Sequence, residues 1–154
     1  MGFTFAPFYD VIFPVGEGQA NHSDDVMLVQ YFLCVIYIAH GGFNQNGNVL
    51  RNKRLSANGP GAIFPIDGVF KPDLGNWIKI FQGDARGSGF PVGQDGIVSP
   101  ADPRRKGMKW FTCQVMNLFV HRADARRHMT LADDPSVPNE LKVALKRIVF
   151  AGFP

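Results

Sequence analysis

The residues able to do chemistry in this chain are few: four histidines, two cysteines and thirteen Asp or Glu side chains. His121 and His128 lie seven apart, so one helical face can present both, with Asp124 as a third donor for a metal ion. Arg122, Arg126 and Arg127 interleave with them, which suits a solvated basic face better. Cys113 and His121 are a conceivable thiol and base. Eight residues along one helix separate them by about 12 Å, too far for direct proton transfer. His22 beside Asp24 and Asp25 reads most simply as a helix start, where acidic side chains complement the helix dipole. Cys34 and Cys113 each lie in apolar stretches and read as buried reduced thiols. No Cys-x-x-Cys spacing points to zinc. The expectation is a non-enzyme with no cofactor and no required metal.

The elements that must position these groups are helical. A chain of 154 residues, 45% hydrophobic and 19% charged, is long enough for one domain with a real core. Residues 1–20 are rich in Gly, Pro and Phe and read as an extended arm, with a short strand among Thr4, Phe8, Val11 and Ile12. Helix one is expected to start at Asn21 to Ser23, either of which can cap it, and to run to about Ala39 before His40-Gly41-Gly42. Val26, Val29, Leu33 and Ile36 follow helical spacing, and Leu28, Phe32, Val35 and Ile38 make the helix apolar nearly all round. Residues 41–66 form a long loop. Helix two spans 73–82, a second loop 83–94, helix three about 108–128 and helix four about 139–150. The expected core is Val26, Val29, Leu33, Trp77, Ile80, Phe81, Val115 and Leu118.

Three fragments in fixed order then narrow the fold. Asp24 to Gln30 comes first. Asp67-Gly68-Val69-Phe70-Lys71-Pro72 follows, closed by Trp77 to Gln82. Asp95-Gly96-Ile97-Val98-Ser99-Pro100 is third. In both six-residue pieces an Asp side chain can bond the backbone two residues on, Gly permits positive φ, and Pro suits a first helical turn. Together they resemble the peptidoglycan-binding-like domain, a small helical module of bacterial and phage cell-wall proteins, over roughly residues 18–100. The family usually has Gly-Pro where this chain has Lys71-Pro72 and Ser99-Pro100. The resemblance implies a mainly α fold: an extended arm over 1–20, then one domain over 21–154. Within that domain the core would span 21–100 and a helical extension 101–154. It implies non-catalytic binding of peptidoglycan, with Asp67, Asp95 and Trp110 as ligand candidates. Trp110 could stack on a sugar ring, whereas Trp77 has core spacing.

The 14 Phe point to assembly as well. Phe3, Phe5, Phe8, Phe13 and Phe153 sit near the ends, either folded back on the core or burying against another subunit. Net charge is +3, yet all 16 Lys and Arg fall after residue 50. Such asymmetry can steer contact between copies. The run Arg104 to Lys109 is basic, but the modest net charge argues against nucleic acid as a partner. The start has no basic segment before an apolar one, so no secretory signal is expected, and Leu28 to Ala39 is too short for a membrane span. The expected partners are copies of the chain or other subunits of a bacterial or phage particle, together with peptidoglycan. The alternative is an accessory wall-binding partner of a separate hydrolase. The chain is expected to be made in the cytoplasm and to reach the wall through lysis, a particle or a dedicated secretion machine.

Overall fold

The computed structural model describes residues 9–39, 65–101, 110–135 and 137–145. Among these the protein is mainly helical, with no extended strand. Helix α1 (Ser23–Cys34) continues into a π-helical stretch, Val35–Ala39. Val26 through Cys34 are all buried, as an apolar circumference requires of a central helix. Packed on it are α2 (Pro72–Gly87), α3 (Thr112–Ala123) and α5 (Asn139–Leu145). The short α4 (Ala125–Met129) and a 3-10 turn, Leu131–Asp133, link α3 to α5. No helix among the described residues is long and apolar enough to cross a membrane.

The start of α1 differs from expectation. His22 is the N-cap residue, and no side chain caps the helix. Asn21 instead adopts φ +48° and uses its amide within the preceding loop. Its Oδ1 accepts from Gly16 N–H and its Nδ2 donates to Gly16 carbonyl, both at 2.8 Å. Asp25 is likewise more than a dipole partner. Its two carboxylate oxygens accept from the Ile12 and Phe13 amides at 2.8 and 3.1 Å.

Helix α2 begins with Pro72 in its first turn, where a missing N–H costs nothing. Its buried face is Leu74, Ile78, Phe81, Gln82 and Ala85. Two expected core positions shift accordingly: Ile80 is exposed and Trp77 is only partly buried, tilted against the Tyr37 ring at 5.2 Å. The helix runs five residues past Gln82, through sequence expected to be loop. Ala85 is buried, Asp84 accepts from Tyr37 hydroxyl at 2.5 Å, and Arg86 donates to Val92 carbonyl. Gly83 lies inside the helix rather than ending it, with the flexible Gln94 amide 2.7 Å from where its Cβ would sit.

One continuous helix over 108–128 is also not what forms. Asp124, at φ −155° and ψ 86°, ends α3 and caps α4 by accepting from Arg127 N–H at 2.9 Å. Cys113, Val115, Met116, Phe119 and Val120 carry the core face of α3, and Leu118 is half-buried. Val26, Val29, Leu33, Phe81 and Val115 are buried as expected. Met108, Ile148 and Phe150 lie outside the described residues, as does the long connection over 41–64.

The N-terminal segment is docked from Tyr9 onward, so this part is not a free arm. Tyr9, Val11 and Val15 are buried, while Ile12 and Phe13 are exposed. An isolated antiparallel bridge joins Val15 to Val98 by two hydrogen bonds of 2.9 and 2.8 Å. The buried Asn117 side chain holds Tyr9 as a second strand would. Its Oδ1 accepts from Tyr9 N–H at 2.9 Å and its Nδ2 donates to Tyr9 carbonyl at 2.8 Å. Phe13 stacks on the His22 ring at 4.1 Å. Phe3, Phe5, Phe8 and Phe153 lie outside the described residues.

Two titratable groups around this docked segment act with opposite signs. Burial pushes the Asp10 carboxyl up to about 6, offset in part by the Ala101 amide it accepts from. The folded chain therefore holds that proton more tightly than the unfolded one, and Asp10's contribution to stability falls as pH rises from about 4 to about 6. Burial, then the charge of His121, pushes His128 down to about 4. Its contribution is lost as pH falls from 6.5 towards 4. Asp10→Asn should raise stability at pH 7 by on the order of 2–3 kcal/mol, an advantage that fades by pH 4. Denaturant melts of the two proteins across this range check it; a constant difference would contradict the assignment.

Candidate functional site

The two Asp-Gly loops are held by one device used twice. Gln30 on α1 and Gln82 on α2 are buried at 2% and 1% exposure, unusual for a polar amide. Gln30 Oε1 accepts from the Asp67 and Gly68 amides at 3.1 and 2.9 Å. Its Nε2 donates to Asp67 Oδ1 and Val69 carbonyl at 3.1 and 3.3 Å. Gln82 repeats the pattern: Oε1 accepts from Gly96 N–H at 2.8 Å, and Nε2 donates to Asp95 Oδ1 and Ile97 carbonyl at 3.1 and 3.0 Å. Each Asp closes its loop by accepting from the amide two residues on, Val69 or Ile97, at 3.0 Å. That backbone bond, assisted by Gln30, holds the exposed Asp67 carboxyl below the usual range.

Both loop glycines sit at φ +75°, where an L side chain is strained. Their surroundings differ. A Cβ on Gly68 would overlap Ser23 Oγ and approach Ser23 carbonyl at 2.9 Å. On Gly96 it would meet the flexible Lys79 chain at 3.0 Å.

The predicted ligand residues divide between the loops. Asp95 and Trp110 line one cavity of about 80 Å³, together with Ser99 and Thr112. Asp67 lines a separate cavity of about 110 Å³ with Gln30, Lys71 and Asp73. In both aspartates Oδ1 is occupied inside the loop. Trp110 is partly buried, edge-on to Phe90 at 5.1 Å, and Phe90 in turn meets Phe119 at 5.4 Å. A carboxylate, two hydroxyls and an indole on one concavity are groups that suit a sugar or an amide-bearing polymer. No protein-family model matches the chain, and no curated protein or solved structure matches it either.

The other chemical candidates have internal employment. Asn117 Nδ2 donates to Cys113 carbonyl as well as to Tyr9, so Oδ1 is its acceptor. His128 Nε2, 3.0 Å from that Oδ1, must then carry a hydrogen. Its Nδ1 is left to accept from His121 Nδ1 at 3.1 Å. The pair expected to face solvent is thus joined within the fold. Among the described residues no three His, Cys, Asp or Glu side chains are grouped as metal ligands. Cys34 and Cys113 are buried free thiols. Burial and then the Asp10 charge push the Cys113 thiol up, and its sulfur donates to Tyr9 carbonyl at 3.2 Å. A thiol so held is a poor nucleophile. Arg104 to Lys109 lie outside the described residues.

Gln30, Gln82 and Asn117 carry much of this geometry, yet the sequence reading gave none of them a role. The signal for the glutamines was present: each belongs to a fragment that precedes an Asp-Gly pair. Gln30→Ala and Gln82→Ala should each cost about 2–4 kcal/mol, because each leaves buried loop amides and carbonyls without partners. Gly68→Ala should cost more than Gly96→Ala, since Ser23 backbone cannot yield as Lys79 can. Chemical denaturation of the four variants checks both the size and the order.

Proposed function

We propose that this chain is a non-catalytic binding subunit built on a peptidoglycan-binding-like core. In this reading it engages a wall polymer on the face of the second Asp-Gly loop. The observation that carries the reading is the repeated clamp. A helix bearing a buried Gln, an Asp-Gly turn and a following helix recur in the order that the resemblance implies. The cavity beside the second loop adds the indole of Trp110 to the carboxylate of Asp95. Among the described residues the cavity at the first loop is lined by Gln30, Asp67, Lys71 and Asp73 without an aromatic ring, which favours the second loop as the binding copy.

A role inside a larger bacterial or phage assembly accompanies this reading. Ile12 and Phe13 are 59% and 44% exposed on a segment whose neighbours Val11 and Val15 are buried. Two apolar side chains presented side by side from a docked segment suit contact with another subunit.

The test is co-sedimentation with purified cell-wall sacculi. The intact chain should pellet with them, and Trp110→Ala should weaken retention up to about tenfold, the worth of one aromatic stacking contact. Its melting temperature, read on the same sample, separates lost binding from lost folding. A folded chain that stays in the supernatant would refute wall binding.

A further inference from the structure

A second cavity borders the second Asp-Gly loop, sharing Asp95 and no other lining residue with the Trp110 cavity. It measures about 140 Å³ and is lined by Glu17, Phe70, Asn76, Lys79 and Asp95, with Gly75 and Gly96 in its wall. Four separate segments build it: the loop before α1, Phe70 at the end of the first Asp-Gly loop, the first two turns of α2, and the second Asp-Gly loop itself. It is smaller than the roughly 300 Å³ that encloses a whole small molecule, so it suits one residue-sized group of a longer ligand.

Its charges are mixed and placed on different elements. Glu17 and Asp95 supply carboxylates, Lys79 an ammonium and Asn76 an amide. Phe70 supplies an apolar wall. A group that answers all of these carries an amine, a neighbouring carboxylate or carbonyl, and a short apolar side chain. That is the free end of a peptide.

The glycines point the same way. Lys79 runs across Gly96, where a Cβ would sit 3.0 Å from its Cε and 3.2 Å from its Cγ, so the missing side chain lets the lysine lie along the loop. Gly75 is in the interior of α2 without positive φ, at a cost relative to Ala that its backbone does not explain. The nearest atom to a Cβ there is the Phe70 ring edge at 3.3 Å, at the cavity wall. Alanine at either position would intrude on this space.

We propose that this cavity receives an amine-bearing terminal group of a peptide, with the ammonium between Glu17 and Asp95 and the carbonyl or carboxylate at Lys79 and Asn76. The inference deepens the wall-binding reading, on which it rests for the peptide's source: the peptide portion of the polymer would enter here while its sugars meet Trp110 in the cavity that shares Asp95.

The experiment titrates the full chain with the dipeptide alanyl-alanine, as its L,L and D,D forms, followed by amide NMR shifts. At least one form should shift the Gly75, Asn76 and Gly96 amides saturably by about 10 mM. N-acetylated dipeptide should not. Glu17→Gln and Lys79→Gln should each weaken binding at least about tenfold. Gly75→Ala should abolish it while the chain stays folded. No saturable shift with either form, or equal shifts with the acetylated form, would overturn the inference. Sacculi binding by a chain that ignores the dipeptides leaves the wall reading standing and rejects this site. Dipeptide binding by a chain that ignores sacculi upholds the site and rejects the wall.

Discussion

A buried glutamine amide facing an Asp-Gly turn is the interaction on which the described architecture depends. A glutamine side chain has one carbonyl and one NH₂, and a turn offers amides and carbonyls within a few ångströms of each other. Gln30 and Gln82 match that pattern from helices α1 and α2. The match fixes each loop against the helix preceding it, and the chain then enters or approaches the next helix in a set direction. Burying such an amide is favourable only when its partners are supplied, so helix and loop form together or not at all.

The same logic governs the N-terminal segment. Among the described residues its backbone pairs with another segment only at the Val15–Val98 bridge. Side chains take the place of a strand: Asn117 at Tyr9, and Asp25 at Ile12 and Phe13. Asp25 is buried, and desolvation raises its pKa despite both amide bonds. The docking of this segment is therefore sensitive to protonation as well as packing. It also supplies Glu17 to the cavity of about 140 Å³ proposed to receive a peptide end.

Sequence made local rules legible and distant pairings illegible. Asp67-Gly68 and Asp95-Gly96 follow turn chemistry contained within three residues, and both turns form with Gly at positive φ. Helix α1 was readable because an apolar circumference over more than three turns has few alternatives. In α2, Trp77, Ile78, Ile80 and Phe81 offer two apolar faces, and the choice between Ile78 and Ile80 is made by what packs opposite. Gly83 and Gly87 looked like loop because the packing that holds this helix end, Tyr37 on Asp84 and Gln94 against Gly83, comes from outside it. Asn117 gave no signal at all: its partner Tyr9 is 108 residues away. Of the candidate site, Asp95 and Trp110 do share a cavity, whereas Asp67 belongs to the other loop.

Both loops are locked to their helices by the glutamines rather than lying on the surface as independent turns. Native-state hydrogen exchange of the Gly68 and Gly96 amides measures this directly, because each donates to a glutamine Oε1 in a buried hydrogen bond. Both should exchange only with opening of the fold, with protection like that of mid-helix amides in α1 and α2. Exchange at the rate of unprotected loop amides, while the helices stay protected, would contradict this.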